Sequence, residues 1–248
     1  MVPFSIANAM CIINVTGGQN VKNTMFDKTL QIIAPHLCLG CGKIGALLCP
    51  SCRYDIVSEP FVGCTVCGTP TTGGICGKHR SSIGTAWIAG ERDDVLARAI
   101  DAFKFERCKS AYRDLAEVLL ETMPIVPADT VVTSVPTVRS HIRERGYDHA
   151  QLIAKAVAKR RGLRYKLLLQ RETNAKQRGA NRKERFRQAK EAFTALPVSI
   201  PSKILVIDDV VTTGATLHFA AKVLKDGGAM TVFVAAIAKQ PLDQLGKI

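Results

Sequence analysis

Hydrophobic positions along the 248-residue chain alternate between unbroken apolar runs and stripes of helical period. Residues 204–207 (Ile-Leu-Val-Ile) run straight into Asp208 and Asp209. A continuous apolar run bounded by turn residues predicts a strand buried on both faces of a parallel sheet. Beyond the acids comes a small, hydroxyl-rich loop with Thr212, Thr213, Gly214 and Thr216. Leu217, Ala220, Ala221 and Leu224 then recur at helical spacing. The unit predicts strand, acidic turn, loop and helix. Residues 130–135, closed by Pro136, predict another strand, 167–169 a short one, and 231–237 a last one after the helix stop at Gly227 and Gly228. From Trp87 an apolar stretch opens a helix-rich segment. Val95, Leu96, Ala99 and Ile100 share one helical face, and Leu115, Ala116, Val118, Leu119 and Leu120 another. Pro124 and Pro127 mark its end. Leu152, Ile153, Ala156 and Val157 predict a further helix, preceded by a polar loop from Arg139 to His149.

Strands alternating with helices predict an α/β fold on a parallel sheet, with ligands at the carboxyl ends of its strands. The loops near 136–146, 171–191 and 208–216 all fall at that edge. Residues 171–191 are polar and mostly basic, and read either as disordered or as a mobile flap over a site. Residues 1–24 show no period. They read as a loose tail, or as an over-extended start with Met25 as the first residue. The expected organisation is therefore a tail (1–24), a small cysteine-rich domain (25–82) and an α/β domain (83–240).

Charge changes this picture in one place. Residues 139–190 hold seventeen Lys/Arg against four Asp/Glu, so they carry the whole of the +13 net charge. A basic block of this kind favours a polyanionic partner, a phosphorylated substrate or nucleic acid, against the simpler account of a solvated basic face. The block is poor in aromatics, with only Phe186 and Phe193 near the flap, so no stacking platform for single strands is evident. No run is apolar and long enough to span a membrane. The first residues lack a basic n-region and an apolar h-region, so a cytoplasmic location is expected.

The nine cysteines are clustered. The spacing Cys38-x2-Cys41-x7-Cys49-x2-Cys52-x11-Cys64-x2-Cys67-x8-Cys76-x2-His79 gives four knuckles in series. Each Cys-x-x-Cys knuckle aims two thiolates at one metal, and two knuckles complete a tetrahedral zinc site. In a chain without an export signal, paired cysteines point to metal before disulfides. Two zinc ions are predicted, one held by four cysteines and one by three cysteines and His79. The spacers leave sequential and interleaved pairing both open. A redox pair would want one Cys-x-x-Cys at a helix start rather than four in series; cysteines surviving after loss of metal are the other alternative. Cys11 and Cys108 fall outside the pattern and are read as non-ligands. The apolar content between the knuckles (Leu47, Leu48, Ile56, Val57, Phe61, Val62) is small, so metal is expected to supply much of that segment's stability.

The remaining chemistry lies at the sheet edge. A Thr- and Gly-rich loop at a helix N-terminus can aim N–H groups and hydroxyls at a phosphate. Two carboxylates before it can accept hydrogen bonds from a sugar diol, or meet a Mg²⁺ already held by phosphates. That combination suits a ribose 5-phosphate. Arg139, Arg143 and Arg145, between a strand and a helix, suit anionic oxygens. Lys104 and Arg107 could reach a phosphate, but solvated helix ends are the simpler reading. His141 and His149 lie nearest the arginines and are read as ordinary loop or helix residues.

Residues 204–216 resemble the phosphoribosyl-pyrophosphate (PRPP) loop of type I phosphoribosyltransferases. The stretch from Cys38 to Ile237 resembles the ComF family, whose members pair a zinc-ribbon segment with such a domain. The matching residues are the cysteine knuckles, Pro136 with Arg143-Glu-Arg-Gly-Tyr147, the flap with Gln177, Gly179, Arg185 and Phe193, and residues 204–216. This sequence departs from the family at His79, where an eighth cysteine is usual, at Asp148 for Asn, and at Ala180 for Leu. It also has Gln188 where an Asn is usual.

The resemblance implies PRPP binding by Asp208, Asp209, Thr212, Thr213, Gly214 and Thr216. It implies a pyrophosphate loop of Val135, Pro136, Arg139, Arg143 and Arg145, and a flap with Gln177, Arg178 and Arg185. Mg²⁺ accompanies PRPP and zinc is structural. The activity implied is phosphoribosyl transfer, a pentosyl-type glycosyl transfer, to an unknown acceptor. The family link is to DNA uptake in natural transformation, with single-stranded DNA and DNA-processing proteins as partners. A PRPP-sensing or single-stranded-DNA-binding module on the same fold is the alternative.

Overall fold

The apolar run at 204–207 lies at the centre of a five-stranded parallel sheet. The computed structural model describes residues 36–79, 82–106, 108–172 and 192–241. Its strands are β1 (Thr85–Glu91), β2 (Val131–Ser134), β3 (Arg164–Tyr165), β4 (Leu169–Arg171), β5 (Phe193–Ala195), β6 (Lys203–Val211) and β7 (Thr231–Lys239). Its helices are α1 (Pro50–Ser58), α2 (Asp94–Lys104), α3 (Tyr112–Thr122), α4 (Arg139–Arg145), α5 (His149–Arg161) and α6 (Ala215–Asp226). The main sheet runs β1-β7-β6-β2-β3, while β4 and β5 form a separate antiparallel pair.

Side-chain alternation along β6 explains why its sequence is apolar throughout. Leu205 and Ile207 enter a core with Leu96, Phe103, Leu115, Leu119, Ile153 and Val157. Ile204 and Val206 face the other way, into a core with Leu217, Leu224, Val232 and Val234. Helix α5 thus covers one face and α6 the opposite face. From β2 the chain goes outward to β3, then returns to the other side of β2 as β6. The strand order reverses between β2 and β6, the kind of switch point at which parallel sheets bind ligands beyond the carboxyl ends of their strands.

The cysteine-rich segment is built onto both faces. Leu47 and Leu48 are buried in the α3 core, and Cys64, Val66 and Ile75 in the α6 core. Val62, by contrast, is exposed.

Three elements differ from expectation. The acids are not in a turn: β6 continues through them, because β7 supplies partners as far as Ala238 and Lys239. The expected loop at 139–146 contains helix α4, ended by Gly146 at φ 84. Of the three leucines at 167–169, only Leu168 and Leu169 are buried, and the strand there pairs with β5 rather than with the main sheet. Residues 1–35 and 173–191, with the tail and most of the flap, lie outside the described residues.

Candidate functional site

Asp208 and Asp209 stand near the end of β6, each accepting the N–H of the following residue (Asp209 N at 2.9 Å, Val210 N at 2.6 Å). They are neighbours with different surroundings. Lys104, the last residue of α2, places its Nζ 2.9 Å from Asp209 Oδ2. Burial opposes ionisation of Asp209, but the Lys104 ammonium outweighs it and holds this carboxyl below the usual range. Burial, and then the Asp209 charge beside it, push Asp208 up to about 8. Arg171, at the end of β4 and over the Phe193 ring at 5.2 Å, feels the Asp208 charge. Burial pulls the Arg171 pKa down, and Asp208 opposes that pull.

The Lys104 position is set by an aromatic wedge. Tyr147 stacks on Phe103 at 5.4 Å and donates its hydroxyl to Phe103 O at 2.6 Å. His149 fits edge-on against both rings, 4.7 Å from Phe103 and 5.1 Å from Tyr147. Burial drives the His149 pKa down to about 4, helped by Arg145 and Lys104 and opposed by Asp209. Arg145 Nη1 donates to the neutral ring at Nδ1 (3.2 Å). Lys104 is thus part of the acidic site rather than a solvated helix end, and His149, a helix residue as one of the two expected alternatives had it, is also a buried wedge.

The turn after β2 lies beside the acids, since Val135 N donates to Ile207 O at 2.9 Å. Asp148 ties this turn to α5. Its carboxylate accepts Thr137 N (3.3 Å), Thr137 Oγ1 (3.0 Å) and, as helix cap, Gln151 N (3.0 Å). Burial raises the Asp148 pKa against those three donors. Arg139 and Arg143 are exposed on α4, whereas Arg145 is turned inward onto His149 and over the Phe105 ring at 5.3 Å. The structure therefore separates the three arginines that the sequence groups together. Gln177, Arg178, Arg185 and Arg107 lie outside the described residues.

The loop after β6 leads into the twelve-residue helix α6. Thr213 is buried and its Oγ1 accepts Ala215 N at 3.4 Å. Gly214 precedes the helix at φ 73, and a Cβ there would lie 2.4 Å from Thr65 O, so only glycine fits. Thr216 is in the first turn of α6. The first N–H groups of a helix have no partners within it, and the dipole favours an anion there.

The knuckles form two four-residue clusters, Cys38/Cys41/Cys49/Cys52 and Cys64/Cys67/Cys76/His79, whose ligand atoms lie within 4.8 Å of one another in each. The grouping is sequential, not interleaved. Sγ–Sγ distances of 3.6 Å (Cys41–Cys49) and 3.8 Å (Cys67–Cys76) are close to the edge, about 3.8 Å, of a tetrahedron with Zn–S bonds of about 2.3 Å. His79 Nδ1 lies 3.2 Å from Cys76 Sγ, which also suits one ion. Burial opposes ionisation of Cys38, but neighbouring N–H groups bring it down to about 6, while burial and adjacent thiols push Cys52 up to about 12. A cation would take the place of the protons these thiols share. Cys108 is buried outside both clusters.

Lys239 and Arg171 were not singled out from sequence. A lysine that continues the apolar run of β7 was the available signal for the first; nothing in the pattern distinguished the second from its basic neighbours.

No family model matches the chain. It is 25% identical to competence protein ComFC of Streptococcus pneumoniae over 222 residues, covering 87% of this chain and 94% of that protein. It is 27% identical to competence protein F of Haemophilus influenzae (77% and 90% covered) and 26% identical to ComFC of Bacillus subtilis (73% and 79% covered). Among solved structures, it is similar to an allosteric regulatory enzyme of purine biosynthesis, with 21% identity and a TM-score of 0.40. That likeness covers 56% of this chain and only 30% of the enzyme. A hypoxanthine phosphoribosyltransferase from Staphylococcus aureus gives 11% identity and a TM-score of 0.31, covering 52% of this chain and 64% of that one. Among the described residues, no helix is long and apolar enough to cross a membrane.

Proposed function

For a chain related to the ComF competence proteins over most of its length, we propose a PRPP site at the carboxyl edge of the sheet and Mg²⁺-dependent transfer of the phosphoribosyl group to an acceptor. One observation carries this reading. A carboxylate pair is followed within one strand end by a hydroxyl-rich loop at a helix N-terminus, across the switch point from the turn at 135–139.

In this reading Asp208 and Asp209 accept the ribose hydroxyls, directly or through Mg²⁺. Residues 212–216 hold the 5-phosphate with N–H groups and hydroxyls. Val135, Pro136, Arg139 and Arg143 meet the pyrophosphate, while Arg145 acts behind them by holding His149. Gln177, Arg178 and Arg185 close over the site and exclude water. Bound Mg²⁺ supplies charge neutralisation for the leaving pyrophosphate. The residues fit that ion: adjacent hard oxygen donors suit it, and a cation beside Asp208 would relieve the charge that raises its pKa. Zinc at the two clusters is structural. The setting is cytoplasmic handling of DNA in natural transformation, with single-stranded DNA and DNA-processing proteins as the partner class.

A sensor or DNA-binding module without turnover is favoured by one feature: the titratable groups beside Asp208 are already engaged. Asp209 is held by Lys104, and His149 is enclosed by Phe103 and Tyr147.

Calorimetry with PRPP and Mg²⁺ tests the site. Binding is expected for the natural chain and lost in Asp208→Ala and Asp209→Ala; undiminished binding by both variants would remove the reading. Pyrophosphate release in a screen of nucleobase, amine and nucleic-acid acceptors separates transferase from sensor.

A further inference from the structure

The second cysteine cluster and the loop at 212–214 are built against each other, and one buried lysine joins them. Lys239 ends β7 at 1% exposure. Its Nζ donates to Thr65 O at 3.1 Å and also to Thr212 O. Thr65 lies between the ligands Cys64 and Cys67, is itself buried, and donates its N–H to Gly74 O at 2.8 Å. The same knuckle meets the loop a second time. A Cβ on Gly214 would lie 2.4 Å from Thr65 O and 2.8 Å from Val66 Cα.

Among the described residues, the first cluster has no such connection. It packs through Leu47 and Leu48 into the core on the opposite face of the sheet, where Leu47 N donates to Asp114 Oδ2 at 3.1 Å.

Two main-chain carbonyls approaching one another repel. An ammonium between them turns the repulsion into two charge-assisted hydrogen bonds. Without it, both oxygens lose a donor, Thr65 O in a buried position and Thr212 O in a partly buried one.

We propose that Lys239 is a positioning residue that fastens the 212–214 loop to the Cys64/Cys67 knuckle, so that metal at the second cluster, and not at the first, sets the order of the loop and its affinity for a phosphate ester. The ligand side of this rests on the PRPP reading; the coupling of loop to knuckle does not. Because such a coupling is reciprocal, disturbing the loop should also loosen the knuckle.

Amide hydrogen exchange on the full-length chain tests it, with PRPP–Mg²⁺ calorimetry alongside. Lys239→Met and Cys76→Ser are each expected to speed exchange in 212–217 by about tenfold or more and to weaken PRPP binding. Cys41→Ser is expected to speed exchange in 212–217 by much less than Cys76→Ser does. Gly214→Ala, which leaves every ligand and Lys239 in place, is expected to speed exchange in 64–67 and to hasten zinc release to a chromogenic chelator. Unchanged exchange in 212–217 for Lys239→Met, or equal effects of Cys41→Ser and Cys76→Ser there, would overturn the proposal. If Lys239→Met does not fold, Gly214→Ala decides: unaltered exchange at 64–67 overturns it. A natural chain that shows the expected exchange pattern yet binds no PRPP supports the coupling and removes the PRPP reading alone.

Discussion

Asp208 and Asp209 are chemically identical, yet the fold treats them oppositely: burial and then the Asp209 charge raise Asp208, whereas the Lys104 ion pair holds Asp209 down. The consequence is a defined dependence of stability on pH. With its pKa raised from 3.8 to about 8, Asp208 keeps its proton in the folded protein after the unfolded chain has lost it. Its contribution is therefore complete below about 4 and lost as pH rises to about 8. His149, lowered from 6.5 to about 4, acts in reverse, and its contribution is lost as pH falls from 6.5 to 4. The two oppose each other below 6.5, and of these two groups Asp208 alone acts between 6.5 and 8. In urea unfolding of the ligand-free protein, the stability of the natural chain relative to Asp208→Asn should decline over that upper interval. Lys104→Met should cost about 1–3 kcal/mol at neutral pH, because it leaves a largely buried carboxylate without its partner. An unchanged urea midpoint would contradict the role given to Lys104. Neither effect was legible in sequence, since Lys104 and Asp209 are over a hundred positions apart.

Among the elements, periodicity located what packing alone decides. The strand at 204–207 and the stripes of α2, α3, α5 and α6 follow directly from buried apolar positions. It failed where a partner or a cap decides. Asp208 and Asp209 look like a turn, yet they stay in the strand because β7 remains apolar beside them up to Ala238. Residues 139–145 look like a basic loop, but Gly146 at φ 84 closes a helix and Asp148 starts the next one. Asp148 carries the turn at 135–139 through its two bonds to Thr137. Asp148→Ala should then cost about 1–2 kcal/mol in thermal or urea unfolding, and weaken pyrophosphate competition against PRPP. Asp148→Asn, the residue usual in the ComF family, should retain most of both, because an amide oxygen also caps a helix. Equal losses for the two variants would mean that the negative charge, not the cap, is what matters.

At the scale of the whole molecule, the cysteine spacing announced a metal-bound segment but not how it joins the rest. The knuckles could have folded as an appendage on a tether. Instead, Leu47 and Leu48 complete the core on one face of the sheet, while Cys64, Val66 and Ile75 complete it on the other. Helix α1, which follows Cys49, is linked to α3 by the Arg53–Glu121 ion pair at 3.1 Å. Removing metal should therefore weaken the sheet domain as well as the knuckles, since thiols deprived of a cation must reprotonate or separate, and the residues between them are the same ones that seal the cores. Calorimetric melting of chelator-treated protein should show one cooperative transition, several degrees or more below that of the metal-loaded protein. A sheet transition unchanged in temperature, with a separate loss of the cysteine segment, would instead make the knuckles an independent module, and would leave the buried position of Leu48 without energetic consequence.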